Sequence, residues 1–175
     1  MKVIPNQTIT VSRLSKNQHT VDSLQKLLEA NTPAYLEMTG LPARDNEAAE
    51  LFDECPPNIK PDEKIIMGLM VGNDIKGVVD LAPGYPDQST VFLGLLLISQ
   101  ELQGHQFGKK LYNAAEQEIM NSGTFNKIRL AVSETNKSVL TFWGKMGFVA
   151  TGERKKILDD RFDVYALMME KKTGV

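Results

Sequence analysis

The sequence predicts an α/β fold with a mixed, mostly antiparallel sheet and helices on both of its faces. Three observations carry that prediction. Residues Lys64 to Leu81 read as an apolar hairpin, IIMGLMV and IKGVVDL around a Gly72-Asn73-Asp74 turn. The uncharged run Val91 to Ile98 leads into a helical stripe, Phe107, Leu111, Ala115 and Ile119. A second strand-to-helix unit follows, Ile128 to Val132 and then Val139, Phe142, Trp143 and Met146.

Taken in order, Ile9 to Leu14 reads as a first strand, and a helix is expected from about Asp22, with Leu24, Leu27 and Leu28 on its apolar face and Pro33 ending it. Thr32-Pro33 then reads as a fresh N-cap with a first-turn proline, opening a short helix that Gly40 closes. Asp45 is the expected cap of a helix Glu47 to Glu54, stopped by Pro56 and Pro57. Pro83 to Asp87 is a turn-rich loop between hairpin and central strand, and Gly123 punctuates the end of the long helix. Phe148 to Gly152 and Val164 to Met169 are expected as the last strands, joined by the charged stretch Glu153 to Asp163. No repeat or low-complexity segment interrupts this order, and one domain over residues 1–175 is expected, with 1–63 on the acceptor side, 64–152 as cofactor-binding core and 153–175 as a C-terminal strand region.

Composition narrows the function. Twenty Lys+Arg against 22 Asp+Glu give a net charge of -2, without the basic excess that binding a phosphate backbone requires, so nucleic acid is not an expected partner. Cys55 is the one cysteine and His19 and His105 the two histidines, too few for a disulfide scaffold or a multi-cysteine zinc site, and no metal is expected. The amino terminus lacks the apolar stretch of an export signal, and FLGLLLI is far shorter than the roughly 20 residues that span a bilayer. A cytoplasmic location and no membrane partner are the corresponding expectations.

The chemistry is concentrated where the central strand gives way to ISQELQGHQFGKKLYNAAEQ. Gly104 and Gly108 bracket a short loop at the start of a long helix. The unpaired N–H groups there, with the positive end of the helix dipole, favour an anion such as phosphate, and Lys109 and Lys110 add charge. An ordinary strand-to-helix turn has the same outline. The dinucleotide fingerprint G-x-G-x-x-G is absent. Gly104 to Gly108 spans three residues rather than the four of G-x-x-x-x-G-K-[ST], and Lys110 stands in the Ser/Thr position.

Gln103-Gly104-His105-Gln106-Phe107-Gly108 resembles the Q/R-x-x-G-x-G/A pyrophosphate loop of the GNAT acetyltransferases. The stretch VSETNKSVLTFWGKMGFVATGE is similar to that family's next motif. The hairpin and the Gly84-Tyr85-Pro86-Asp87 loop resemble one bacterial subgroup without a settled substrate. The resemblance implies acetyl-coenzyme A as acyl donor, an amine as acceptor, and, as often in the family, a dimer. It further implies that Gln103 to Lys109 (Gln103, Gly104, His105, Gln106, Phe107, Gly108, Lys109) hold the pyrophosphate, that Leu97 and Ile98 offer backbone groups to the pantetheine arm, and that Asn136 and Trp143 border the cofactor. Two residues depart from the pattern: Gln106 stands at the middle glycine, and Trp143 stands where many members have a tyrosine that protonates the leaving thiolate. An indole N–H donates a hydrogen bond but is no acid near neutral pH.

A thiol of pKa about 8.5 leaves tolerably without an acid, whereas a lysine-like amine of pKa about 10.4 is only about 0.1% neutral at pH 7.4, a handicap of about 4 kcal/mol. A base is therefore sought. Glu134 and then Asp80 are the candidates, each at a strand end, with Tyr85 and Tyr165 as possible proton donors; solvated carboxylates and packing tyrosines are the alternative roles. Glu47, Glu50, Asp53 and Glu54 either attract a cationic amine or form a solvated helix face. Cys55 is expected buried and structural. Direct acetyl transfer is the leading reading, and a non-catalytic acyl-CoA-binding module or a transferase for longer acyl groups are the rivals.

Overall fold

The structure, a computed structural model, describes residues 8–156 and 165–174. Seven strands form one sheet: β1 (Ile9–Arg13), β2 (Ile65–Val71), β3 (Asp74–Pro83), β4 (Thr90–Ile98), β5 (Lys127–Ser133), β6 (Val149–Lys156) and β7 (Tyr165–Lys172), in the order β1-β2-β3-β4-β5-β7-β6. Every adjacent pair is antiparallel except β4 and β5, which a helical crossover joins in parallel. The helices are α1 (Gln18–Ala30), α2 (Thr32–Thr39), α3 (Glu47–Asp53), α4 (Phe107–Ser122) and α5 (Lys137–Lys145). The mixed, mostly antiparallel architecture expected from the hydrophobic patterning is the one observed.

Period-two alternation along the strands separates two cores. Met67, Leu69, Val79 and Leu81 pack with Leu111, Ala115 and Ile119 of α4 and Trp143 of α5 on one face. Ile66, Val78, Leu95 and Leu97 pack with Leu24, Leu27 and Leu28 of α1, Tyr35 of α2, and Ala48 and Phe52 of α3 on the other. Leu24 and Leu28 are wholly buried, each contributing about 2 kcal/mol of transfer free energy.

Local boundaries differ from expectation where a cap was misassigned. α1 starts at Gln18 because Asn17 Oδ1 accepts from Thr20 N at 3.0 Å, a full turn before Asp22. Asn31, not Thr32, separates α1 from α2; it is buried, with Nδ2 donating to Leu27 O at 2.7 Å, while the Thr32 hydroxyl donates back to Glu29 O. Asp45 caps nothing: α3 follows Asn46, and Glu47 turns its carboxylate back to Arg44 N at 3.1 Å. β6 runs on through Lys156, so the first part of the charged stretch is an edge strand, whose nearly continuous exposure explains its polar sequence. The remainder of that stretch and the expected strand start at Val164 lie outside the described residues. Among the described residues no helix is long and apolar enough to cross a membrane.

Two features of the sheet shape the site. Pairing between β4 and β5 ends at Leu93↔Leu130, so Leu95–Ile98 and Ala131–Ser133 diverge while each strand keeps its outer partner. The β3–β4 register slips between Asp80↔Leu95 and Leu81↔Leu93, leaving Gly94 as the extra residue of a bulge.

Candidate active site

A cleft of about 1100 Å³ opens where β4 and β5 part. Its walls are the open edge of β4, the start of α4, the start and inner face of α5, and, at the far end, α2, α3 and Asp80 of β3. Of the residues singled out on sequence, it brings together Asp80, Leu97, Ile98, Gln103, Gly104, Gln106, Phe107, Gly108, Lys109, Asn136 and Trp143.

The first helical bond of α4 runs from Lys110 N to Gln106 O, so the N–H groups of Phe107, Gly108 and Lys109 precede it, and no side chain caps this end. They form a ready anion site beside the cleft. Gln106, in the family's glycine position, has φ +65°, and Gly104 has φ +76°. The loop therefore demands left-handed backbone at residue 106, which explains why glycine suits that position; glutamine holds it at a cost of about 1 kcal/mol. Gln103 turns its amide to donate to Ile98 O at 3.1 Å, tying the loop to the end of β4. His105 instead packs Nδ1 against its neighbour Gln103 O and faces a smaller hollow of about 370 Å³ shared with Lys110 and Asn113, outside the main cleft.

Strand alternation assigns the backbone groups of β4. Ser99 N donates to Lys76 O, and the register Val78↔Leu97 turns Leu97 the same way, toward β3. Leu96 and Ile98 consequently direct their main-chain groups toward the open side, so of the two residues expected to offer backbone groups, Ile98 does so and Leu97 contributes its side chain to the opposite core.

Asn136 caps α5, its Oδ1 accepting from Val139 N at 3.0 Å and from the Ser138 hydroxyl at 2.9 Å, and it lines the cleft as well. Trp143 is buried in an aromatic cluster, its ring 5.3 Å from Tyr112, 4.9 Å from Phe142 and 5.1 Å from Phe148, with one edge at the cleft.

The candidate acid and base groups separate sharply. Glu134 stands in a two-pronged pair with Arg154, both contacts 2.7 Å; that hydrogen bonding holds its carboxyl below the usual carboxylate range, and it does not line the cleft. Tyr85 packs edge-on against Phe92 at 5.6 Å, and Tyr165 lies under the Arg154 guanidinium at 3.4 Å, both off the cleft. Asp80 is a cleft residue, 9% exposed, with burial pushing its carboxyl up and the ammonium of Lys64, 3.1 Å from Oδ1, pulling it down; the balance is a raised value. The gap at Gly94 accommodates it, since a Cβ there would lie 3.1 Å from Asp80 Oδ2.

The acidic residues of α3 and its C-cap Glu54 are already paired: Arg44 with Glu47, Glu50 and Glu54, and Lys16 with Asp53 at 2.6 Å. Cys55 is partly exposed rather than buried, its thiol donating to Asp53 O at 3.6 Å and pushed up by desolvation. The acceptor end is lined by Tyr35, Met38, Glu47 and Leu51 from α2 and α3, whereas the Gly84 to Asp87 loop stays away from it. The sequence points to these helices for the acceptor but not to Gly94, although a glycine within an otherwise apolar strand is a signal of a bulge.

A profile of the acetyltransferase (GNAT) family matches residues 23–148, most of the chain. The chain belongs to the GNAT acetyltransferases. Comparison with curated proteins gave no match. Among solved structures, this GNAT chain is similar to an acetyltransferase from Thermus thermophilus, 20% identical, covering 93% of this chain and 97% of that one, TM-score 0.68. It is also similar to the ribosomal-protein-S18-alanine N-acetyltransferase of Escherichia coli, 11% identical over 96% of each chain, TM-score 0.71. The spermidine N-acetyltransferase of Vibrio cholerae, solved with CoA and spermine, is 16% identical over 94% of this chain and 95% of that one, TM-score 0.72. At these identities the structural likeness shows the fold.

Proposed function

We propose that this chain is an N-acetyltransferase that moves an acetyl group directly from acetyl-CoA to a primary amine. The observation that carries this reading is the single cleft that joins an uncapped helix N-terminus, the open edge of β4 and a buried carboxylate. The pyrophosphate of acetyl-CoA rests on the N–H groups of Phe107, Gly108 and Lys109, and the pantetheine arm pairs with the main chain of Leu96 and Ile98. This places the thioester beside the bulge at Gly94. The amine, entering from α2 and α3, gives up a proton toward Asp80 directly or through water. Its lone pair then attacks the thioester carbonyl, the C–N bond forms, and backbone N–H groups of β4 stabilise the oxyanion. As the C–S bond breaks the nitrogen sheds its second proton to solvent, and the departing thiolate takes one from solvent, because the Trp143 indole is no acid near neutral pH. Asp80 carries the base role in preference to Glu134, whose oxygens Arg154 already holds.

Titration with acetyl-CoA, followed by thiol release against a panel of polyamine, aminoglycoside and peptide α-amines, tests this reading. Micromolar binding and turnover of at least one amine support it. Binding without turnover across the panel would favour the acyl-CoA-binding module that Gln106 and Trp143 first suggested, and tighter binding of longer acyl-CoAs would favour a larger donor.

A further inference from the structure

Lys64 is an enclosed ammonium beside the cleft: its side chain is 4% exposed. Its Nζ donates to Leu51 O at 2.6 Å and to Glu54 O at 3.0 Å, the carbonyls that close α3, and stands 3.1 Å from Asp80 Oδ1. The Lys64 ammonium is the neighbour of Asp80 at Oδ1, while Oδ2 points to the gap left by Gly94. Stability alone does not call for such a buried ion pair, since apolar residues in place of both partners often serve as well.

We propose that Lys64 is a positioning residue for acetyl transfer, fixing the Asp80 carboxylate at the cleft wall and locking it to the end of the acceptor-side helix α3. The proposal rests on the transferase reading above. Two consequences follow from the geometry. Burial pushes the Asp80 carboxyl up and the cation opposes that push, favouring the ionised form that a base requires. Because Leu51 and Glu47 of the same helix line the acceptor end, one ammonium ties that end of the cleft to the base. The other titratable groups around the pair are the Cys55 thiol, which is influenced by both Lys64 and Asp80, together with Asp53 and Glu63 beside it.

The test compares wild type, Lys64→Gln, Lys64→Arg and Asp80→Asn in acetyl-CoA affinity and in kcat/KM against pH for one turned-over amine. Gln keeps a donor for the two carbonyls but removes the charge, so its acidic limb moves up by about one unit, with about tenfold lower kcat/KM on the acidic side of that limb and unchanged acetyl-CoA Kd. Arg returns the limb toward wild type. A Lys64→Gln profile that overlays wild type while Asp80→Asn is inactive overturns the role of Lys64 alone. Wild-type rates in Asp80→Asn overturn Asp80 as base, and Lys64 with it. If Lys64→Gln does not fold, a carboxyl titration of Asp80 by NMR in wild type and Lys64→Arg decides: a value responding to the cation's identity supports the pairing, and an indifferent one refutes it.

Discussion

Gly108 offers a test in which stability and binding are expected to move in opposite directions. It is the second residue of α4, and a Cβ built there would lie 3.6 Å from Phe142 Cζ and 3.8 Å from Ile98 Cγ1, ordinary van der Waals contact. The folded protein therefore has room for a side chain. Gly108→Ala should stabilise by up to about 1 kcal/mol through helix propensity, a rise of about 2–4 °C in Tm for a chain of this size. Gly108→Asp should be at least as stable as wild type, because a carboxylate in the first turn of a helix gains about 0.3–1 kcal/mol from the dipole. Acetyl-CoA affinity should follow another order. An Asp carboxylate about 5 Å from a pyrophosphate charge costs about 3 kcal/mol at an effective dielectric near 20, and about 2 kcal/mol after screening in an open cleft, a loss of about 30-fold. Ala, lacking charge, should lose less than Asp. Differential scanning calorimetry and isothermal titration on the three proteins measure both quantities. Wild-type acetyl-CoA affinity in a folded Gly108→Asp protein would refute the placement of the pyrophosphate, and a marked destabilisation of Gly108→Ala would refute the contact geometry.

Gln106→Gly should leave Tm unchanged or raise it by up to about 1 kcal/mol equivalent, since relief of left-handed strain outweighs or balances glycine's added freedom, while Gln106→Val should lower it; thermal melts decide. Glu134→Gln should leave the pH dependence of kcat/KM where it is, because the carboxylate is held by Arg154 away from the cleft, and a shifted acidic limb would restore it as a base. For Asp80 the folded value lies above the unfolded one, so the folded state retains a proton that the unfolded chain releases. Its contribution to stability is thus present below the ordinary carboxylate range, near 4, and is lost as pH rises through the folded value, a slope that Asp80→Asn should remove in denaturant titrations across that window. Arg44→Ala should cost about 1 kcal/mol or less, its ion pairs being half exposed, yet it frees Glu47 at the acceptor end and should lower KM for a cationic amine without changing kcat.

Much of the architecture was legible because the strands and helices announce themselves by period. Val91 to Ile98, wholly apolar, marked the sheet centre, and the Phe107, Leu111, Ala115, Ile119 stripe marked a helix crossing one face. Caps were the weak point: Asn17, Asn31 and Asn46 precede their helices, while Asp22, Thr32 and Asp45 looked equally able to do so. Only Asn17 caps through its side chain, a matter of about 1 kcal/mol, whereas Asn31 and Asn46 precede their helices without a side-chain cap bond, so packing rather than cap chemistry sets those two starts. The glycine loop was legible for the opposite reason, since its chemistry is local: a strand end, a helix start and the backbone donors between them.

The sequence by itself determined the fold class, the family and the glycine loop whose backbone N–H groups stand uncapped at the start of α4, because each depends on residues close together in the chain. Only the tertiary structure shows which of Glu134 and Asp80 faces the cleft. Both are carboxylates near strand ends, but Arg154, 20 residues from Glu134, closes over one. Lys64 and the missing side chain at Gly94, each more than ten residues from Asp80, bury and orient the other. The electrostatics of a carboxyl group are set by its neighbours in space, and those neighbours come from strands whose pairing, bulge and divergence no local pattern records.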